Sequence, residues 1–391
     1  MSQQHFVIVG AGIVGLSTAY ALLKQGMKNV TVLEQAEVDH RRATSHGISR
    51  LLRFEYGADM LYSKMVQLSL QQWRHLERTS QRTLYTETGV LVLGNEDDNT
   101  TKPAYHILSN LGLPIERLSP YEVAYRFPQF SIHNYDLFTY NTTAGMLHAS
   151  NCLQALKDLV IALGGHILEN QAVEHIAYDN PRRPLQVHLA SGATMAADRL
   201  LLATGPWVHR LLGDLHLPIK ATRQYLLYFA NLPTSTFSLH SFPAFIADDL
   251  YGFPLHNTCA GGGPCWLKAA SHRFGTPIDP DSNLPVEQQA IEQVSQRLYQ
   301  LIPALQDAEL VQVDSCMYDV SLDEHFILDY HPYDSRIAFA TGLTGHGFKF
   351  GPLLGEILGS LLRDAPPPVP LDRFRLARFA QHRVAQTSSV A

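Results

Sequence analysis

Gly10-Ala11-Gly12-Ile13-Val14-Gly15 follows directly on the apolar run Phe6-Val7-Ile8-Val9, and residues of these types at this spacing can hold a phosphate. Gly10 permits a tight turn, Gly12 lets the backbone approach a pyrophosphate, and Gly15 lets a helix pack on the strand before it. The helix expected from Ile13 to Lys24 aims its first N–H groups, and the positive end of its dipole, at such an anion. A second expected strand, Val30 to Leu33, ends at Glu34, roughly twenty residues past the glycines, where a carboxylate can accept both hydroxyls of a ribose. Glu34 therefore favours an adenosine with a free 2′-hydroxyl, as in FAD or NAD. An ordinary tight strand–helix turn and a solvated strand end are the plainer alternatives.

The other end of the chain gathers a thiol, phenols, imidazoles and an amine. Ser315-Cys316-Met317-Tyr318 precedes Asp323-Glu324-His325-Phe326-Ile327-Leu328-Asp329, and Gly345-His346-Gly347-Phe348-Lys349-Phe350 follows. A cysteine reacts as its thiolate, which an electropositive setting favours; an inert buried thiol is the competing reading of Cys316. Arg199-Leu200-Leu201-Leu202-Ala203-Thr204-Gly205 reads as one more buried strand ending in a glycine turn. Flavoproteins of the glutathione-reductase type commonly place such an Ala-Thr-Gly stretch beside the cofactor, which moves the choice from NAD towards FAD.

Several kinds of element must position these groups. Gly89 to Leu93 is strand-like, Tyr105 to Leu111 helix-like, and Ser119-Pro120-Tyr121-Glu122 starts a helix. A helix from Ser150 to Leu163 leads into alternating strands at Val173 to Ala177 and Gln186 to Leu189, with a turn at Ser191-Gly192. Gln224 to Phe229 is strand-like, Pro285 to Leu301 is an amphipathic helix, and Ile337 to Ala340, Gly342 to Gly347 and Gly351 to Leu362 repeat strand, glycine turn and helix. The fold class expected is α/β: a Rossmann-like FAD-binding domain of glutathione-reductase type, interleaved with a substrate domain of antiparallel β-sheet plus helix. The FAD-binding domain is drawn over 1–85, 146–218 and 326–391, and the substrate domain over 86–145 and 219–325.

At 391 residues the chain is long enough for two packed domains. A net charge of -6, with 30 basic residues scattered rather than striped, argues against a nucleic-acid partner. No apolar run approaches the roughly eighteen residues that span a bilayer, and Phe6 to Val9 flows into a glycine turn instead of a cleavage site. The final Ser388-Ser389-Val390-Ala391 is not a peroxisomal address of the Ser-Lys-Leu type, so a cytoplasmic protein is expected. A monomer is the separate expectation for its assembly. Cys152, Cys259, Cys265 and Cys316 have no CxxC or zinc-ligand spacing, so no metal site is expected, and the first three read as non-catalytic.

Separated segments in order, Ser45-His46-Gly47-Ile48-Ser49-Arg50-Leu51-Leu52-Arg53, Tyr251-Gly252-Phe253-Pro254, Leu267-Lys268 with His272 and Phe274-Gly275, Cys316-Met317-Tyr318, and Gly345-His346-Gly347-Phe348-Lys349, carry a resemblance. The chain resembles the monomeric sarcosine oxidase and N-methyltryptophan oxidase group of the D-amino-acid-oxidase-type flavoproteins, from the first glycines to the last helix. The resemblance implies FAD joined by a thioether from Cys316 to the 8α-methyl of its ring. It implies that Arg53 and Lys349 clamp a substrate carboxylate, and that Lys268 lies over the flavin and favours oxygen reduction through fixed positive charge. Arg50 and His46 would lie beside the cofactor, while Tyr251, Tyr318 and His272 would surround the amine. Cofactor contacts would come from Gly10, Gly12, Ile13, Val14, Gly15, Glu34, His46, Arg50, Cys316, Gly345, Gly347 and Lys349.

Trp266 departs from the pattern, since related enzymes tend to have glycine two residues before the lysine. Strand alternation puts Trp266 and Lys268 on one face, where the indole would narrow the substrate cavity, stack on a ring or restrict oxygen access; an indole packed in the core is the equal alternative. The preceding Cys259-Ala260-Gly261-Gly262-Gly263-Pro264 reads as a lid or tight hairpin. The expected activity is oxidation of the C–N bond of a secondary or N-methyl amino acid, sarcosine-like, to an imine, with O2 reduced to H2O2. The alternatives are an oxidase or dehydrogenase of a cyclic imino acid such as proline or pipecolate using another acceptor, a flavin-binding assembly protein, and a plain NAD-dependent dehydrogenase.

Overall fold

Phe6-Val7-Ile8-Val9 has no polar face, so it can only be a strand covered on both sides. In the computed structural model, which describes residues 4–178, 182–259, 262–282 and 285–380, it lies near the middle of a six-stranded sheet. The strand order is Ile327–His331, Asp334–Thr341, Arg199–Leu202, Phe6–Val9, Val30–Leu33 and His166–Leu168. Neighbours run parallel except in the Ile327–His331 edge hairpin. Phe6 and Ile8 join a core with the helices Ile13–Lys24 and Gly351–Leu362, while Val7 and Val9 join a second core under the ribbon Val173–Ala177, Leu185–Leu189 and Thr194–Ala197.

An eight-stranded sheet faces this layer, in the order Glu309–Ser321, Ile219–Ala230, Gly262–Ser271, Leu250–Cys259, Ala244–Ala247, Val90–Gly94, Leu137–Asn141 and Ile115–Leu118. Its outer residues Leu227, Phe229 and Leu267 pack with Leu298 of the Gln288–Leu301 helix. Its inner residues therefore include Tyr228 and Lys268, which stand opposite each other in the pairing register. Gln224 pairs with Cys316 on the next strand, which brings the thiol to the same sheet from 92 residues away along the chain.

Most expected elements appear within a few residues of their assigned ends, and the Ser119 helix start carries a full capping box with Glu122. The helix Met60–Ser80 was not anticipated from sequence; the Asp59 side chain caps it by accepting the Leu61 and Tyr62 N–H groups. The expected hairpin before Trp266 pairs Cys259 with Gly262, and its connecting residues 260–261 lie outside the described residues, as do Ser388 to Ala391. No helix among the described residues is long and apolar enough to cross a membrane.

Candidate active site

The parallel strand Phe6–Val9 delivers its chain to a turn that only glycine can make. Gly10 has φ +104°, and a Cβ there would stand 2.4 Å from the Ala203 carbonyl oxygen; a Cβ on Gly15 would stand 1.9 Å from the Gly10 oxygen. The helix starts at Gly12, whose neighbour Ile13 donates its N–H to Ser45 Oγ at 3.0 Å. Glu34, 6% exposed, accepts Ala11 N–H at 2.8 Å and Ala36 N–H at 3.1 Å, so the loop is bolted to the end of the second strand. Gly10, Gly12, Glu34, Thr44, Thr204 and Trp207 line a cavity of about 130 Å³ here. The Thr44 and Thr204 hydroxyls beside it are buried with no hydrogen-bond partner among the described residues.

Gly12, Thr44 and Ser45 also line a much larger cavity of about 1410 Å³ that runs between the two sheets. Arg50 lies on its wall, donating to the carbonyls of Ser49 at 2.9 Å, Thr44 at 2.8 Å and His46. Lys268, 1% exposed, donates to the same Ser49 carbonyl at 2.8 Å. Burial, and then the Arg50 charge, hold its ammonium well below the usual lysine range. Cys316 lines the cavity; burial raises its thiol, and Arg50 and Lys268 pull it back down. Tyr251 and Tyr318, hydrogen-bonded to each other, form the adjoining wall.

The third part of the cavity is cationic. Arg53 stands 4.4 Å from the Tyr56 ring centre and Lys349 Nζ 5.4 Å from the same centre. Lys349 is 4% exposed and donates to Tyr56 Oη at 2.8 Å and to the His346 carbonyl at 2.9 Å. Its backbone carbonyl accepts Ser69 Oγ at 2.6 Å and Trp73 Nε1 at 2.8 Å, so the unforeseen Met60–Ser80 helix fixes where this lysine stands. Neither cation forms an ion pair with a carboxylate among the described residues. Burial and the repulsion of Arg53 press the Lys349 ammonium down. The same causes, with Lys349 added, push His272 down to about 4 and hold His346 well below its usual value, so both imidazoles are neutral near pH 7. His272 rests on Tyr318 with ring centres 5.6 Å apart.

Ile13, Val14, Arg50, Arg53, Tyr251, His272, Cys316, Tyr318, Gly345, Gly347 and Lys349 all line the large cavity with Gly12. Gly10 and Glu34 line the small one, while Gly15 serves helix packing. Three residues stand elsewhere. Lys268 is covered by the Ser49 loop; the His46 imidazole is turned to Asp39, with Nδ1 2.9 Å from its carboxylate. Trp266 shares the inner face but packs edge-on over Tyr228 at 6.1 Å, outside the cavity lining. Sequence reasoning missed Glu55, Tyr56 and Asp319, all on the cavity wall. Tyr56 had a signal in its place three residues after Arg53 and before a glycine; the two buried carboxylates had none.

The family described as FAD dependent oxidoreductase matches residues 5–361 of this chain. Peroxisomal sarcosine oxidase of Mus musculus is 33% identical over 381 residues, covering 96% of each chain. Monomeric sarcosine oxidase of a Bacillus species is 30% identical over 399 residues, covering 99% of each. Among solved structures, L-proline dehydrogenase from P. horikoshii superposes with a TM-score of 0.83 at 20% identity, covering 97% of this chain and 98% of that one; the likeness is one of fold.

Proposed function

Because the chain belongs to the FAD dependent oxidoreductase family, we propose that it oxidises the C–N bond of a secondary or N-methyl amino acid of the sarcosine kind. The amine becomes an imine that water hydrolyses, and the electrons reduce O2 to H2O2. The observation that carries this reading is the pair Arg53 and Lys349, one half-buried and one buried on the same tyrosine without a carboxylate partner among the described residues, in a cavity that reaches back to the dinucleotide loop.

The residues present fit FAD. A Cβ on Gly12 would stand 3.1 Å from Ser45 Oγ, so the glycine keeps a cradle open, and the orphaned Thr44 and Thr204 hydroxyls lie beside it. When bound, FAD supplies the two-electron chemistry. Gly10, Gly12, Val14 and Ile13, whose N–H would pass from Ser45 Oγ to the phosphate, would hold its pyrophosphate, Glu34 its ribose, and Cys316 would carry the thioether.

The protein's own part is binding, orientation and control of protons. Arg53 and Lys349 anchor the carboxylate, which sets the distance of the C–N bond from the Cys316 side of the cavity. Cations and neutral imidazoles around the amine nitrogen disfavour an ammonium, so the substrate is held as the neutral amine whose lone pair the oxidation needs. Tyr251, Tyr318 and neutral His272 orient that nitrogen. Lys268 and Arg50 supply fixed positive charge for oxygen reduction.

Two measurements test the reading. Anaerobic titration with sarcosine, proline, pipecolate and N-methyl aromatic amino acids should bleach the flavin spectrum with sarcosine or a close N-methyl relative; bleaching by none of them would sink it. After acid precipitation the yellow pigment should stay with the protein, and Cys316→Ser should release it. Pigment wholly in the supernatant of the wild type would remove the thioether alone.

A further inference from the structure

Glu55 is 7% exposed, lines the large cavity, and has no part in the mechanism above. Its Oε2 accepts Phe54 N–H at 3.0 Å and its Oε1 the Asn141 amide at 3.4 Å. It forms no ion pair with a cation among the described residues. A carboxylate buried on these terms is costly to keep, and an apolar side chain would fill the place more cheaply.

The charge it carries acts on the anchor. Arg53 and Tyr56 flank it on its own segment, Lys349 feels its charge from the 345–350 turn, the Asn141 amide meets it from the adjoining strand, and His346 and His272 act on the same two cations from the cavity wall. Both imidazoles are neutral, so within the group Arg53, Lys349 and Glu55 the carboxylate offsets one of the two cationic charges. A ligand with one carboxylate balances the other. A second carboxylate would find no further positive charge on this pair and would meet the Glu55 carboxylate instead.

We propose that Glu55 is a specificity-determining residue that restricts this site to ligands carrying one carboxylate, by cancelling half of the positive charge that Arg53 and Lys349 present. The proposal rests on the reading of those two residues as the carboxylate anchor. Burial raises the Glu55 carboxyl, with Arg53 opposing, so the discrimination grows as pH rises through its titration.

The test uses the holoenzyme and two unreactive probes, propionate and succinate, whose dissociation constants are read from the perturbation of the flavin absorbance between about pH 5.5 and 8.5. Wild type should prefer propionate increasingly as pH rises. Glu55→Gln should improve succinate binding relative to propionate by roughly tenfold at the upper end and flatten the pH dependence of the ratio. Glu55→Asp should keep the wild-type preference. The ratio cancels any shared loss from altered folding, so a ratio unaltered by Glu55→Gln overturns the proposal. Arg53→Met separates the two ideas: if it weakens both probes while Glu55→Gln leaves the ratio alone, only the role of Glu55 falls. If Arg53→Met weakens neither, the anchor falls and the proposal with it.

Discussion

Arg53→Met removes a charge and keeps most of the stem, which makes it the cleanest perturbation of the anchor. Arg53 spends its guanidinium on the face of Tyr56 and on no carboxylate among the described residues, so its hydrogen-bonding edge is open to a ligand. A hydrogen bond between ionised partners contributes about 1.5–3 kcal/mol, and a fork that meets a carboxylate with two of them contributes more. One correction has the opposite sign. The Arg53 charge presses the Lys349 ammonium down, so its loss lets Lys349 hold its proton more firmly and grip the carboxylate better. The net loss should be about 2–3 kcal/mol, which is roughly a 30- to 150-fold rise in dissociation constant. Anaerobic stopped-flow, following flavin bleaching against sarcosine concentration, separates this constant from the limiting rate. The constant should rise by that factor, while the limiting rate changes only a few-fold. An N-methylated amine without a carboxylate should bind both proteins alike. A collapsed limiting rate with unchanged affinity, or an equal loss for the carboxylate-free amine, would refute the reasoning.

Lys268→Met should slow flavin reoxidation by O2 by tenfold or more and leave anaerobic reduction within a few-fold; the reverse pattern would put the lysine on the substrate side. Asp319, 3% exposed on the cavity wall, has its carboxyl pushed up to about 6 by burial despite N–H donors from Gly342 and Leu343. Its native state therefore binds the proton more tightly than the unfolded chain, and its penalty is present above pH 6 and relieved as pH falls towards 4. The melting temperature of Asp319→Asn relative to wild type should accordingly be more favourable at pH 8 than at pH 5, by an amount worth about 1.5 kcal/mol, and a difference independent of pH would contradict this. Gly355→Ala would put a Cβ 2.4 Å from the Ser17 carbonyl oxygen of the first helix, so differential scanning calorimetry should show a loss of about 1–3 kcal/mol; no loss would mean the two helices separate freely.

How much of this was legible from residues alone depends on how far apart along the chain the causes lie. The dinucleotide loop was legible because its reasons are local: Gly10 and Gly15 answer to contacts within a few residues of one strand and helix, or to one carbonyl beyond. The cationic end of the cavity was foreshadowed only through resemblance, since nothing in the spacing of Arg53, Cys316 and Lys349 says that one cavity collects them. The register Gln224 to Cys316, the Arg50–Leu52 strand and the Ser69 and Trp73 bonds to Lys349 do the collecting. Trp266 shows where periodicity stops. Alternation put it correctly on the face of Lys268, but two residues of strand are roughly 7 Å, and that distance carries the indole past the cavity onto Tyr228. Glu55 shows the converse limit. In Arg53-Phe54-Glu55-Tyr56 a glutamate reads as surface, because acidic side chains are seldom buried. What buries it is Asn141, on a strand paired into the other sheet and wholly covered itself. The expense of such a carboxylate lies in the fold, while its effect lies on the charge that a ligand meets, and only coordinates put the two side by side.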